Sequence, residues 1–292
     1  MYVLMLFATA LIWGVAFVAQ SVGMDYLGPF SFNAIRFFIG TISLIPLILI
    51  MYKTGKVQPL TADRKKNTIV GGICCGIVLC VASLFQQFGV MYTTVGKAGF
   101  ITALYIIIVP FMSVILRQRI GRKAWIAAII AVIGFYLMCM SGDMTLSLGD
   151  GLTLIGAVFW SVHILVIDYF APKGDCIIIS AIQFLCSGCI CTIGTILFED
   201  LTLSAVLDCT VPLLYAGIMS CGVAYTLQIV GQKGVKPSLA CLILSLESVF
   251  SALAGWVILG EKMAAIEIFG CILVFAGVVL AQLPDKSKEP MD

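Results

Sequence analysis

Residues 10–13, Ala10-Leu11-Ile12-Trp13, return 147 residues further on as Ala157-Val158-Phe159-Trp160, and at the same offset Ala34-Ile35-Arg36-Phe37 returns as Ala181-Ile182-Gln183-Phe184. Towards the end of each half the offset slips to 143, where Leu116, Arg119 and Gly134 match Leu259, Lys262 and Gly277. The second half therefore reads as a rewritten copy of the first, and each half carries five apolar runs of membrane length. Five is odd, so the two copies face opposite ways across a bilayer. Inverted repeats recur in membrane proteins whose halves rock about a central site.

The expected solvent is lipid. The chain has 292 residues, 61% of them hydrophobic and 11% charged, with a mean hydropathy of +1.13. That is too few polar residues to cover a soluble core. A span needs about 20 apolar residues, rising about 1.5 Å each, to cross about 30 Å of hydrocarbon. Ten runs qualify: 2–22, 29–52, 68–92, 98–116, 124–141, 149–170, 177–198, 210–231, 237–259 and 267–283. The expected fold is an all-α integral membrane protein with ten transmembrane helices in two inverted five-helix repeats, 2–141 and 149–283, followed by a cytoplasmic tail, 284–292. The first run lacks a basic n-region and is expected to be a retained span, not a cleaved signal peptide.

With the N-terminus inside, every one of the 17 basic residues except Arg36, Lys97 and Lys262 falls in an inner loop or the tail. The positive-inside rule then places both termini in the cytoplasm of a plasma or inner membrane. The basic clusters in 53–67 and 117–123 need only be topology signals, so no nucleic-acid partner is expected and membrane lipids surround the chain. Cys186, Cys189 and Cys191 are spaced C-x-x-C-x-C, but Ile, Leu and Ser flank them, and no His or carboxylate completes a metal set. They read as packing residues, with no metal and no cofactor expected. Only Cys209 falls in an expected outer loop, so no disulfide framework is implied. Pro46 and Pro110 lie inside spans and free the carbonyls of Ile42 and Ile106, so Pro110 either kinks the fourth span or is tolerated there. Gly72 and Gly76 have the G-x-x-x-G spacing that brings helices close in lipid.

The segments Ala224-Tyr225-Thr226-Leu227-Gln228, Pro237-Ser238, Ser245-Leu246-Glu247-Ser248 and Leu259-Gly260-Glu261-Lys262 resemble the EamA domain of the drug/metabolite transporter superfamily. In the first half Trp13-Gly14, Arg36-Phe37, Thr93-Thr94, Phe100-Ile101-Thr102-Ala103-Leu104-Tyr105 and Val109-Pro110 are similar to the matching EamA half. The resemblance runs from about residue 2 to 282. It implies ten helices in two inverted repeats around a cavity open to one side at a time, and solutes such as amino acids, other metabolites, nucleotide derivatives or toxic compounds, often moved outward. Two positions depart from the family pattern. Ser248 stands where a Ser-Leu-Glu-Pro motif has proline, which is expected to leave the ninth span straighter, and Arg117-Gln118 replaces the usual Gly-Glu after the fourth.

A charge at mid-bilayer costs about 2.5–3.5 kcal/mol on insertion scales, so each one found there asks for a role. Glu247 lies about 15 Å into the ninth span, with Ala240, Ser251 and Ala254 on its face, and is the candidate for a proton coupled to transport; the alternative is a hydrogen-bonded structural carboxylate. Arg36 lies about 10 Å into the second span, where it either snorkels to the outer headgroups or pairs with an anionic solute group. His163, the only histidine, lies one turn after Trp160 and reads more simply as a satisfied bundle residue than as a ligand. In the eighth span Cys221, Tyr225, Gln228 and Gln232 form a polar line at helical spacing, and in the third Gly76, Cys80, Ser83 and Gln87 do the same. Either line can serve as ordinary interhelical hydrogen bonding or as cavity lining. The candidate lining is Trp13, Phe17, Gln87, Tyr105, Trp160, His163, Tyr225, Gln228, Glu247 and Ser251.

The expected function is a secondary transporter, an exporter of a small organic metabolite such as an amino acid, working by alternating access. No G-x-x-x-x-G-K-[ST] loop occurs, so no ATP is expected to be used. An integral-membrane enzyme would gather several His, Asp or Glu residues, which one histidine cannot supply, so no catalytic residue is expected. A channel or a structural membrane protein are the remaining alternatives.

Overall fold

The computed structural model describes residues 1–54, 61–93, 95–117, 120–139, 147–258, 260 and 264–282. Among these every regular element is helical: α1 (Tyr2–Gly23), α2 (Pro29–Lys53), α3 (Ala62–Val90), α4 (Val95–Ala103), α5 (Tyr105–Ile115), α6 (Arg122–Cys139), α7 (Leu148–Phe170), α8 (Cys176–Phe198), α9 (Leu203–Asp208), α10 (Thr210–Leu214), a π-helical segment (Tyr215–Tyr225), α11 (Thr226–Gln232), α12 (Pro237–Leu244), α13 (Glu247–Ile258) and α14 (Ala265–Gln282). Among the described residues eight helical stretches are long and apolar enough to cross a membrane, counting Val95–Ile115, Thr210–Gln232 and Pro237–Ile258 as one stretch each, and Ala265–Ala281 is a shorter apolar helix.

The distribution of side chains is that of a protein solvated by lipid. Ile50, Val114, Ile196, Phe198 and Val257 are exposed, whereas Arg36, His163, Gln183, Gln228 and Glu247 are buried. Where no water is available outside, polar groups find their partners inside the bundle.

Helix ends are tied by side chains from distant segments. Glu199, at the end of α8, accepts from the amides of Phe30 (2.8 Å) and Ser31 (2.8 Å) and so caps α2 behind Pro29. Ser147 and Asp150 form a reciprocal capping box on α7, and the Thr93 hydroxyl donates to the same Asp150 carboxylate, fastening the turn after α3. At the opposite end Asp175 caps α8 through Ile177 and Ile178, while the Thr68 hydroxyl accepts from its amide at 2.9 Å.

The helices pair in a regular scheme: α6 with α14, α2 with α8, α3 with α7 and α8, α1 with α13, the π segment and α11, α2 with the π segment, and α4 with α7 and α13. Close approach depends on small residues. A Cβ on Gly72 would lie 2.6 Å from Ile182 Cβ, and one on Gly76 2.7 Å from Cys186 Cβ, so the G-x-x-x-G pair is where α3 meets α8. Several residues matched between the halves also touch. Trp13 and Trp160 have ring centroids 6.5 Å apart, and Phe37 stacks on Phe184 at 6.1 Å. A Cβ on Gly134 would meet Gly270 and Val274, and one on Gly277 would meet Ala127 and Ala131.

Among the described residues two spans are interrupted midway, neither of them at a proline. Helix α5 runs through Pro110, and the break in that span falls earlier, at Leu104. The other break, at Ser245-Leu246, occurs although residue 248 is serine and not proline, so the ninth span is not the straighter one expected. At both places amides reach back only three residues: Leu104 to Ile101 (3.2 Å), Ile107 to Leu104 (3.0 Å), Leu246 to Ile243 (3.2 Å) and Ser248 to Ser245 (3.2 Å). The turns are tightened, and at the second the Ser245 hydroxyl donates to the Leu242 carbonyl at 2.8 Å, competing for the acceptor.

Gly76→Val is expected to lower stability in detergent by about 2–3 kcal/mol through the α3–α8 clash, whereas Gly151→Ala, at a position with nothing within 4 Å of its Cβ, leaves the unfolding midpoint nearly unchanged. Glu199→Ala removes a charged two-amide cap and is expected to cost about 1–2 kcal/mol in the same unfolding assay.

Candidate functional site

The two interruptions lie opposite one another. They place Tyr105 at the first residue of α5 and Glu247 at the first residue of α13, and the Tyr105 hydroxyl donates to Glu247 Oε1 at 2.9 Å. Both residues are buried, and the hydrogen bond joins two spans that belong to different halves of the chain. Broken spans at matching positions are where membrane carriers build binding sites, because irregular backbone is tolerated in lipid only beside a cavity.

A cavity of about 30 Å³, room for a water or two in this conformation, lies beside this pair. It is narrow, crowded by aromatic rings. Tyr225 lies 4.6 Å from Trp13 and 6.1 Å from Trp160, centroid to centroid, so the two matched tryptophans and this tyrosine form one apolar wall. Phe17, Gln20 and Thr102 extend the lining along α1 and α4, while Gln228 and Ser220 approach from the eighth span. Arg36 enters from α2, with its guanidinium carbon 4.9 Å from the Phe37 ring centroid. Trp13 Nε1, Arg36 Nε, Thr102 Oγ1 and Gln228 Oε1 are buried without hydrogen-bond partners, so donors and acceptors face the space with capacity to spare.

The structure brings Trp13, Phe17, Tyr105, Trp160, Tyr225, Gln228 and Glu247 to one cavity and places the other three candidates beside it. Gln87 donates to the Gln20 carbonyl at 3.2 Å and ties α3 to α1. His163 stands behind the aromatic wall, with Nε2 3.1 Å from Gln183 Oε1 and its ring edge-on to Trp160 and Tyr225. Ser251 faces Gly99 of α4, one turn beyond Glu247.

Two of the polar lines read from the sequence resolve differently in space. The α3 line is largely the seam with α8: Gly76 meets Cys186, and Cys80 Sγ lies 3.5 Å from Cys191 Sγ. The residue of α3 that lines the cavity is Gln86, whose Oε1 accepts from Trp160 Nε1 at 2.9 Å. In the eighth span the π segment widens each turn, so Ser220, five residues before Tyr225, shares its face, and Cys221 packs against Gly40 instead. An α-helical spacing cannot find Ser220. A one-residue shift in α3 hides Gln86, although its place in the pair Gln86-Gln87 is visible in the sequence.

The family model described as the EamA-like transporter family matches residues 1–140 and again 147–283. A protein of Archaeoglobus fulgidus named as an uncharacterized transporter is 30% identical over 94% of this chain and 83% of its own length. One of Bacillus subtilis, named uncharacterized transporter YoaV, is 22% identical over 94% of each chain. A solved crystal structure shares the fold with a TM-score of 0.78 at 21% identity, covering 96% of both chains. With both halves matched by the same model, this integral membrane chain belongs to the EamA-like transporter family.

Proposed function

We propose that the chain is a secondary transporter that exports a small organic metabolite, an amino acid or a related compound, across the plasma membrane by alternating access, with both termini in the cytoplasm. The observation that carries this reading is the Tyr105–Glu247 hydrogen bond at the meeting point of two interrupted spans, beside a polar and aromatic cavity. Ten transmembrane helices in two inverted repeats, 2–141 and 149–283, account for the pairing scheme. The contacts of α2 with the π segment and of α3 with α8 exchange under such a symmetry, as do those of α1 with α13 and of α4 with α7. The twice-matched family model and the touching pairs Trp13–Trp160 and Phe37–Phe184 support the same layout.

In this reading the aromatic wall and the amides of Gln20, Gln86 and Gln228 hold the solute, and rocking of the repeats about the Tyr105–Glu247 contact exposes it to each side in turn. Glu247 is the proton-coupling residue. A carboxyl among apolar helices is costly to ionise, so a change in its exposure as the cavity opens gives a route for taking up or releasing a proton. His163 and Gln87 hold the lining side chains in place.

Reconstituted vesicles are expected to give saturable, competable counterflow of the solute. Glu247→Gln is expected to reduce proton-driven flux by at least about tenfold and to flatten its pH dependence, while Tyr105→Phe, which keeps the carboxyl but removes its donor, shifts that dependence. Unchanged rate and unchanged pH dependence in Glu247→Gln would remove Glu247 from coupling.

A further inference from the structure

We propose that the end of the bundle where α7, α11 and α12 meet carries a second binding site, apart from the central cavity, that takes a phosphoethanolamine group. Lys233, Lys236 and the start of α12 receive the phosphate, and Gln232 and Asp168 receive the amine.

A recess of about 570 Å³ lies there, lined by these side chains together with Pro237 and Ser238. That volume is in the range of small-molecule sites. The loop from α11 to α12 forms part of its wall, and Gly234 of that loop packs on Tyr2, so the recess lies at the end of the bundle that holds the first turn of α1. The ends of membrane-spanning helices sit at headgroup depth, where phosphate esters are concentrated.

Lys233 and Lys236 are exposed, and neither comes within 4.0 Å of a carboxylate among the described residues. Helix α12 opens without a side-chain cap, and Pro237 at its first position has no N–H, so the first amide it offers is that of Ser238. Two ammonium groups beside an uncapped helix start suit a phosphate.

The rest of the lining asks for a donor. Gln232 is 2% exposed; its Nε2 donates to the Ile164 carbonyl at 3.2 Å, which holds the amide against α7, and its Oε1 has no hydrogen-bond partner. Asp168, one turn beyond Ile164, brings a carboxylate to the same recess. Membrane topology accounts for the sign of the loop charge, but for neither the recess nor the orphaned acceptor. A bare anion would leave that acceptor unanswered, at the cost of a buried polar group without a partner. A phosphate ester whose alcohol ends in an ammonium satisfies both sets of groups at once. Its choline counterpart has the same charges and no N–H, so it satisfies only the first.

The test is thermal unfolding of the purified full chain in a phosphate-free detergent. O-phosphoethanolamine, phosphocholine or inorganic phosphate is added first, then phosphatidylethanolamine or phosphatidylcholine in mixed micelles. At least one ethanolamine form is expected to raise the midpoint saturably, with its choline counterpart weaker by about tenfold or more. A response to the soluble compound assigns the site to a free phosphate ester, and one confined to the lipid assigns it to a headgroup. Lys233→Gln combined with Lys236→Gln, both at exposed positions, is expected to remove the response. Gln232→Leu is expected to bring the ethanolamine and choline forms level; where that variant does not fold, the same comparison in the unaltered chain decides the role of the amine. Silence from both ethanolamine forms, choline or inorganic phosphate acting as strongly in the unaltered chain, a preference that survives Gln232→Leu, or an undiminished response in the double lysine variant would overturn the assignment. None of these outcomes bears on the transporter reading, which rests on the central cavity.

Discussion

Everything in this molecule depends on the lack of water around its middle. Lipid offers no hydrogen bond, so backbone is helical nearly throughout the described residues, and polar side chains turn inward. Within the described spans, the marked departures from regular α-helix lie beside the cavity. The tightened turns at Leu104 and Ser245-Leu246 and the wide π segment from Tyr215 to Tyr225 all border the one cavity that contains Arg36 and Glu247. Irregular backbone and buried charge therefore occur side by side around that cavity.

The interface between the halves is what the proposed inverted repeat would give: residues near its axis would meet their own counterparts, so that one repeated position supplies both sides of a contact. Trp13 against Trp160 and Phe37 against Phe184 are contacts of like with like. Tyr105 against Glu247 is a contact of unlike residues at matching breaks, and there the symmetric scaffold acquires a donor on one side and a carboxyl on the other. Arg36 matches Gln183, so the second charge of the cavity also lies where the copies differ.

Much of this was legible in the sequence. Of the ten apolar runs, eight correspond to helical stretches of membrane length among the described residues, the repeated Trp13 and Trp160 meet in the aromatic wall, and Glu247 stood out as a carboxyl deep in an apolar run. What escaped the sequence was fine rotational phase. Gln86 and Gln87 are adjacent, and only the packing of Gly76 and Cys80 against α8 decides that Gln86 faces the cavity. Ser220 was invisible because the π segment replaces the 3.6-residue turn by a wider one. The breaks escaped for a related reason: proline is the obvious helix breaker, but here three-residue backbone bonds and the Ser245 hydroxyl make the turn, while Pro110 is absorbed into α5.

The central claim is that one cavity is reached from both faces of the membrane, though not from both at once. The most direct measurement is side-specific labelling of a cysteine placed at Gln20, a lining residue, in a chain whose native cysteines are replaced. A membrane-impermeant maleimide would be applied to right-side-out and inside-out vesicles. The account predicts reaction from either side, with saturating solute slowing both reactions. Labelling from one side only under every condition, or no protection by any transported solute, would contradict it.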